Sequence, residues 1–177
     1  MKTVVNKFLI ISLALIFSIS FSSCSEDDSE PTLSLNESKK SSLDSDKSSS
    51  YSYSALELET LQVINTHRAS IGLSSLVKTD MVSLQAEGHT DYLITKGVLS
   101  HDNFGTRDDY LIKNLPAKSI GENVASGFSD AKTVVESWLN SPSHKVVIED
   151  ARYTNTGISI KSDENGRKYF VQIFAAK

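Results

Sequence analysis

What the chain does not contain narrows its possibilities before any motif is read. It has one cysteine, Cys24. One thiol makes no internal disulfide, so the folded part is held by its core. There is no cluster of lysine or arginine: 18 Lys+Arg stand against 22 Asp+Glu, a net charge of -4. The basic face of a nucleic-acid binder is therefore missing, and no nucleic-acid partner is expected. The apolar run from Phe8 to Phe21 falls short of the ~20 residues that a membrane-spanning helix requires. No internal repeat is visible. Neither H-E-x-x-H nor G-x-S-x-G occurs, which removes the compact zinc-protease helix and the nucleophile elbow of a serine hydrolase.

The first two dozen residues have the features of an export signal. Lys2 and Lys7 precede the uncharged run, which closes on Phe21-Ser22-Ser23-Cys24. An apolar residue, two small residues and a cysteine have the form of a lipobox, so 1–23 is expected to be a lipoprotein signal peptide and Cys24 the lipidated N-terminus. Several acyl chains, at ~0.8 kcal/mol per buried CH2, would make the bilayer a firm partner. The acidic stretch Ser25-Glu26-Asp27-Asp28 resembles the surface-export signal of some Gram-negative lipoproteins. The expected place is the outer membrane, with exposure at the cell surface. Residues 24–54 are serine-rich with scattered charge, and such a composition buries too little surface to offset its ordering entropy. They are expected to be a disordered tether with a reach of roughly 30 Å.

From Ala55 the pattern is that of a folded domain running to residue 177. Leu56, Val63, Ile64, His67 and Ile71 fall at helical spacing, predicting a helix over 55–70 stopped near Gly72. Thr79 or Asp80 caps a second helix to Lys96, with Gly97 as its stop. Residues 98–110 are expected as loop, with a short helical turn over 108–114. Ser129 or Asp130 caps a third helix through Asn140 with Val134, Val135 and Trp138 inward. Pro142 ends it, and a short helix follows at 143–149. The stretches 157–160 and 169–174 alternate like strands about the turn Asp163-Glu164-Asn165-Gly166, predicting a hairpin. Helices followed by a hairpin give an α+β domain.

The order of short motifs resembles the CAP (SCP/PR-1-like) superfamily over 55–177. It comprises Asn65-x-x-Arg68, Leu84-x-x-x-Gly88-His89-x-x-Tyr92, Leu99-Ser100-His101, Gly121-Glu122-Asn123-Val124-Ala125, Val134-Val135-x-x-Trp138, Ser141-x-x-His144, Tyr153-x-x-x-Gly157-Ile158 and Tyr169-Phe170-Val171-Gln172. The resemblance implies an α-β-α sandwich with a cleft lined by histidines and acidic residues. His101, Glu122 and His144 are its counterparts here, all three expected in or beside loops. Ser141 stands where many eukaryotic members carry a second glutamate.

Two imidazoles and one carboxylate suit Zn²⁺ or another divalent metal, with a position left for water. The three are far apart in sequence, and only the resemblance brings them together. The bland alternative is a hydrogen-bonded cluster that holds the loops. His67 and His89, beside apolar helix positions, are expected to be packed or at the surface, and Trp138 and Tyr169 to belong to the core. Two function classes follow: an extracytoplasmic module binding a lipid, peptide or glycan in the cleft, or a metal-dependent, peptidase-like hydrolase in the same place. The thin supply of carboxylates favours binding.

Overall fold

The computed structural model describes residues 50–177; the expected signal peptide, Cys24 and the tether as far as residue 49 lie outside the described residues. Helix α1 is Ala55–Ser70, β1 Val77–Lys78, α2 Asp80–Lys96, α3 Phe104–Asn114, β2 Ser119–Ser126, α4 Ala131–Asn140, α5 Pro142–Ile148, β3 Asn155–Ser162 and β4 Lys168–Ala176. The strands form one mixed sheet in the order β1-β3-β4-β2. β1 runs parallel to β3, and the β3–β4 and β4–β2 pairs are antiparallel. Helices lie on both faces, giving the expected α-β-α sandwich.

Alternation along the strands builds two cores. Ala125, Phe170 and Phe174 join Leu61, Ile64, Val134, Val135, Trp138 and Ile148 on the side of α1, α4 and α5. Val124, Val171, Ile173 and Ala175 join Val82, Ala86, Leu93 and Leu111 on the side of α2 and α3. Helix α2 lies directly on β3: a Cβ at Gly157 would stand 2.2 Å from the Ser83 nitrogen and 2.3 Å from the Val82 carbonyl carbon. Glycine at 157 is what lets the two backbones meet.

Helices α1, α2, α4 and α5 form where capping and periodicity place them. Asp130 accepts from the Thr133 N–H at 2.9 Å to start α4, and Trp138 is 1% exposed. Helix α3 is longer than the expected turn, starting at Phe104 within the supposed loop. The inward face of α1 also differs from its apolar spacing. Glu57, Thr60 and Arg68 are buried with Leu61 and Ile64, while Ile71 is exposed. The Arg68 guanidinium satisfies the main-chain oxygens of Ser74, Ile148, Asp150 and Tyr153 at 2.6–3.1 Å, so it is buried as a hydrogen-bonding hub. Two described residues from the end of the expected tether are bonded to the domain. Tyr51 donates to Glu57 Oε1 at 2.7 Å, and Tyr53 shares a 2.8 Å hydrogen bond with Ser83. Residues that composition assigned to the tether are thereby packed on the domain.

Both of these contacts lie along the outer edge of β3, which β1 covers for only two residues. The Asp163 N–H reaches the Arg167 oxygen at 3.0 Å, so odd residues of β3 bond to β4 and even residues point away. The Thr156 oxygen accepts from Thr79 N–H at 2.8 Å. The Ile158 N–H ends on Ser83 Oγ at 3.2 Å and the Ile160 N–H on Glu57 Oε1 at 2.8 Å. Glu57 also completes a capping box with Ser54 at the start of α1.

Candidate functional site

The site is built on β2, at the opposite edge of the sheet. Within β2, Gly121, Asn123 and Ala125 face the α1, α4 and α5 side, and Glu122 and Val124 face α2 and α3. A Cβ at Gly121 would stand 2.7 Å from the Tyr153 hydroxyl and 2.8 Å from Val147 Cγ1, so α5 and the chain after it close tightly on this strand. Glu122 was expected in or beside a loop. It lies mid-strand, opposite Ile173, and its side chain is 1% exposed.

A carboxylate buried this far requires compensation, and α3 supplies it. Arg107 Nε donates to Glu122 Oε2 at 2.9 Å and Nη2 to Oε1 at 2.8 Å, a forked pairing that fits the geometry of both groups. Arg107 Nη1 also holds the Asp102 main-chain oxygen at 2.8 Å. The loop between α2 and α3 is fixed further by His89 Nε2 on the Ser100 oxygen at 2.9 Å and Tyr92 on Asp102 at 2.7 Å. The Lys96 ammonium, with Tyr92, holds the Asp102 carboxyl down at about 2.

The loop presents His101. Its Nδ1 lies 2.8 Å from Glu122 Oε1. Because a carboxylate only accepts, Nδ1 carries the proton in this contact, and Nε2 is the nitrogen not engaged by Glu122. The His101 side chain is 51% exposed, so Nε2 is the part of the cluster that faces outward. His89 is buried beside the same carboxylate, Nε2 to Oε1 at 3.6 Å. Burial pulls its imidazole below the ordinary range, more than the Glu122 charge raises it.

His144 comes from the other side of the strand. It lies on α5, whose approach is fixed by Asn123 Nδ2 donating to the His144 main-chain oxygen at 3.1 Å. Its imidazole is half-buried and sits below its ordinary value, first through burial and then through the charge of His101. His101 and the α5 residue His144 therefore approach β2 from opposite faces of the sheet. Ser141 joins α4 to α5, and its Oγ is 3.3 Å from Ser143 Oγ.

Of the expected set His101, Glu122 and His144, the first two meet directly in a hydrogen bond. Both Glu122 oxygens are engaged by Arg107, so a cation on either would face a guanidinium less than 3 Å from it. Among the described residues no group of three or more His, Cys, Asp or Glu side chains is placed to hold a metal ion. Arg107, the counter-ion of the site, carried no signal in the sequence beyond the rule that a buried carboxylate needs one. A concavity of 590 Å³ lies elsewhere, between α1 and α4, lined in part by Val63, Val135, Leu139 and Lys132.

Comparison with known proteins places this arrangement. Residues 61–174 match the family described as "CAP: Cysteine-rich secretory protein family". The chain is 29% identical over 121 residues to the "Uncharacterized membrane protein YlbC" of Bacillus subtilis (strain 168), a match that takes in 67% of this chain and 34% of that protein. It thus spans about a third of that relative's length. An outer surface protein from Borrelia burgdorferi superposes with a TM-score of 0.60 at 25% identity, covering 66% of this chain and 89% of that one. A cysteine-rich secretory protein from Staphylococcus aureus gives 0.59 at 26% identity, covering 69% and 38%. The structure of NaASP2 with Zn²⁺, at 13% identity and a TM-score of 0.50 over 67% of this chain and 78% of that one, shares the fold.

Proposed function

The chain belongs to the cysteine-rich secretory protein (CAP) family, and on that footing we propose that it is an exported lipoprotein whose domain binds a ligand at the His101–Glu122–His144 cleft without turning it over. The observation that carries this reading is the state of Glu122. Its carboxylate is buried and doubly bonded by Arg107, with His101 on the same oxygen. A general base must meet the proton it removes, and a metal ligand must have a free lone pair. With both oxygens held by Arg107 and the side chain shut from solvent, Glu122 is poorly placed for either role. It acts instead as the anchor that aims His101, leaving Nε2 and the His144 imidazole to meet a ligand.

Export is supported by the leader and by the names of similar proteins, one an outer surface protein and another a membrane protein. Attachment through Cys24 rests on Phe21-Ser22-Ser23-Cys24. Radiolabelled palmitate is expected to enter wild-type protein and not Cys24→Ala; equal labelling overturns the anchor. Protease treatment of intact cells that removes the domain places it on the outer surface.

The binding reading is tested with NMR of the histidine side chains during titration with panels of peptides, glycans and fatty acids, run beside a broad hydrolase assay with added Zn²⁺. The expected result is a shift of the His101 and His144 signals with no turnover. Hydrolysis by the wild type that disappears in His101→Ala would establish the enzymatic reading instead.

A further inference from the structure

We propose that the outer edge of β2 takes up an extended segment of another polypeptide as an added strand, passing between His101 and His144. This rests on the reading that the cleft binds a ligand, and it names the ligand's class. The Gly127 N–H reaches the Lys168 oxygen at 2.9 Å, and the register pairs Gly121 with Phe174, Asn123 with Gln172 and Ala125 with Phe170. Odd residues of β2 therefore exchange hydrogen bonds with β4, and Ile120, Glu122, Val124 and Ser126 turn their N–H and C=O groups away from it. Among the described residues only one of these outward groups has a protein partner: the Val124 oxygen accepts from the Trp138 indole at 3.3 Å. From the Ile120 N–H to the Val124 N–H the edge is a run of donor, acceptor, donor, acceptor, donor.

Successive outward residues of a strand are ~6.8 Å apart. Alternating main-chain donors and acceptors at that spacing are matched by an extended peptide backbone, and by no sugar or acyl chain. The edge also reaches solvent. The Glu122 side chain is 1% exposed but the whole residue 7%, so the exposure belongs mainly to its main chain. The fold closes its other edge with Thr79, Ser83 and Glu57. Unpaired edges are normally blocked in that way, and β2 is left open beside the imidazoles. Side chains of an added strand alternate between its faces, so neighbouring ligand residues would meet His101 on one side and His144 on the other. Helices α3 and α5 both pack against β2. They flank the edge closely enough to favour a single strand over the edge of a second folded copy.

The test uses the full-length chain in detergent and a soluble octapeptide of alternating threonine and lysine, which offers a generic strand backbone. Two further peptides carry N-methyl groups on the odd or on the even residues, each removing the donors of one peptide edge. The expected result is that the plain peptide binds, shifts the amides of Ile120 and Glu122, and makes them at least tenfold slower to exchange. One methylated peptide should match it, and the other should bind at least tenfold more weakly. Ile120→Pro, which removes an outward donor at an edge position where proline is tolerated, should weaken binding while the melting temperature holds. Equal binding of both methylated peptides overturns the proposal. So does protection of the Ile120 and Glu122 amides before peptide is added: in a monomer this means that the chain's own N-terminal residues hold the edge, and in a dimer that a second copy does. If His101 and His144 signals respond to a glycan or fatty acid while no peptide binds, the strand proposal fails and the ligand-binding cleft stands. Silence of both histidines toward every probe removes the cleft reading itself.

Discussion

Two buried glutamates finish the two edges of one sheet in opposite ways. Glu57, reaching from α1, turns its carboxylate onto the edge of β3 and takes the Ile160 N–H, the Tyr51 hydroxyl and the Ser54 N–H. Glu122 is part of the edge strand β2, yet its carboxylate points away from that edge, into Arg107 and His101. The first carboxylate uses its hydrogen bonds to close a strand. The second uses them to aim a side chain, and the strand that carries it keeps its outward amides. One residue type at one level of burial serves structure on one edge and recognition on the other. What differs is whether the neighbouring element supplies a cation or bare N–H groups.

That contrast breaks most sharply at Arg107. Arg107→Ala leaves Glu122 charged and buried without its counter-ion, and the expected loss is about 3–5 kcal/mol by urea denaturation. Arg107→Lys keeps the charge without the fork and should recover part of it. A loss under about 1 kcal/mol for Arg107→Ala would show that Glu122 does not depend on its guanidinium. Glu57→Ala comes next, at about 2–3 kcal/mol, because the Ile160 N–H and two further donors lose a charged acceptor. Hydrogen exchange should quicken at Ile160 in that variant and stay unchanged at Glu122. Equal quickening at both would mean that the two edges are not independent. Trp138→Phe should cost about 1–2 kcal/mol, by freeing the Val124 oxygen and losing part of a buried ring. It should leave the Ile158 and Ile160 amides as slow as before.

The smallest effect at neutral pH is protonation. His89 and His144 both sit below their ordinary values through burial, so the unfolded chain binds protons more readily than the folded one. Their stabilisation is complete above the unfolded value of about 6.5 and declines as the pH falls below it. Melting temperature should therefore drop between pH 7.5 and pH 5, and drop less in a His89→Gln, His144→Gln double variant. An unchanged slope in that variant would move the acid sensitivity elsewhere in the domain.

Much of this architecture was legible in the sequence. Helix α2 was bounded by Thr79 and Gly97, α4 by its cap and apolar spacing, and the β3–β4 hairpin by its turn. Strand β2 was visible only as a motif. One of its faces carries Glu122 and the other Gly121 and Asn123, so no apolar alternation marks it as a strand. The first turn of α3 was read as loop because Gly105, Asp108 and Asp109 are loop-like residues, with only 108–114 expected as a helical turn, and Arg107 was hidden with it. His101 and Glu122 do meet, as the family resemblance implied. The role of Glu122 was not legible, because it depends on a guanidinium arriving from an element the pattern did not reveal. Tyr51 and Tyr53 were lost in a serine-rich background, where two aromatics at alternate positions were the one sign that the chain had begun to pack.

That packing has a mechanical side. Any pull transmitted through the residues before Ser50 arrives at Tyr51 and Tyr53 and is carried by Glu57 and Ser83 into α1, α2 and the edge of β3. Between that point of attachment and β2 stands β4, paired with both neighbours from Tyr169 to Ala175. Load along the strands is shared across many ladder hydrogen bonds in shear before it reaches the far edge. A tug on the N-terminal segment would therefore fray the Tyr51 clasp first and leave the spacing of His101 and His144 undisturbed. The N-terminal segment joins the domain at one rim of the sheet, and the proposed peptide site lies at the other.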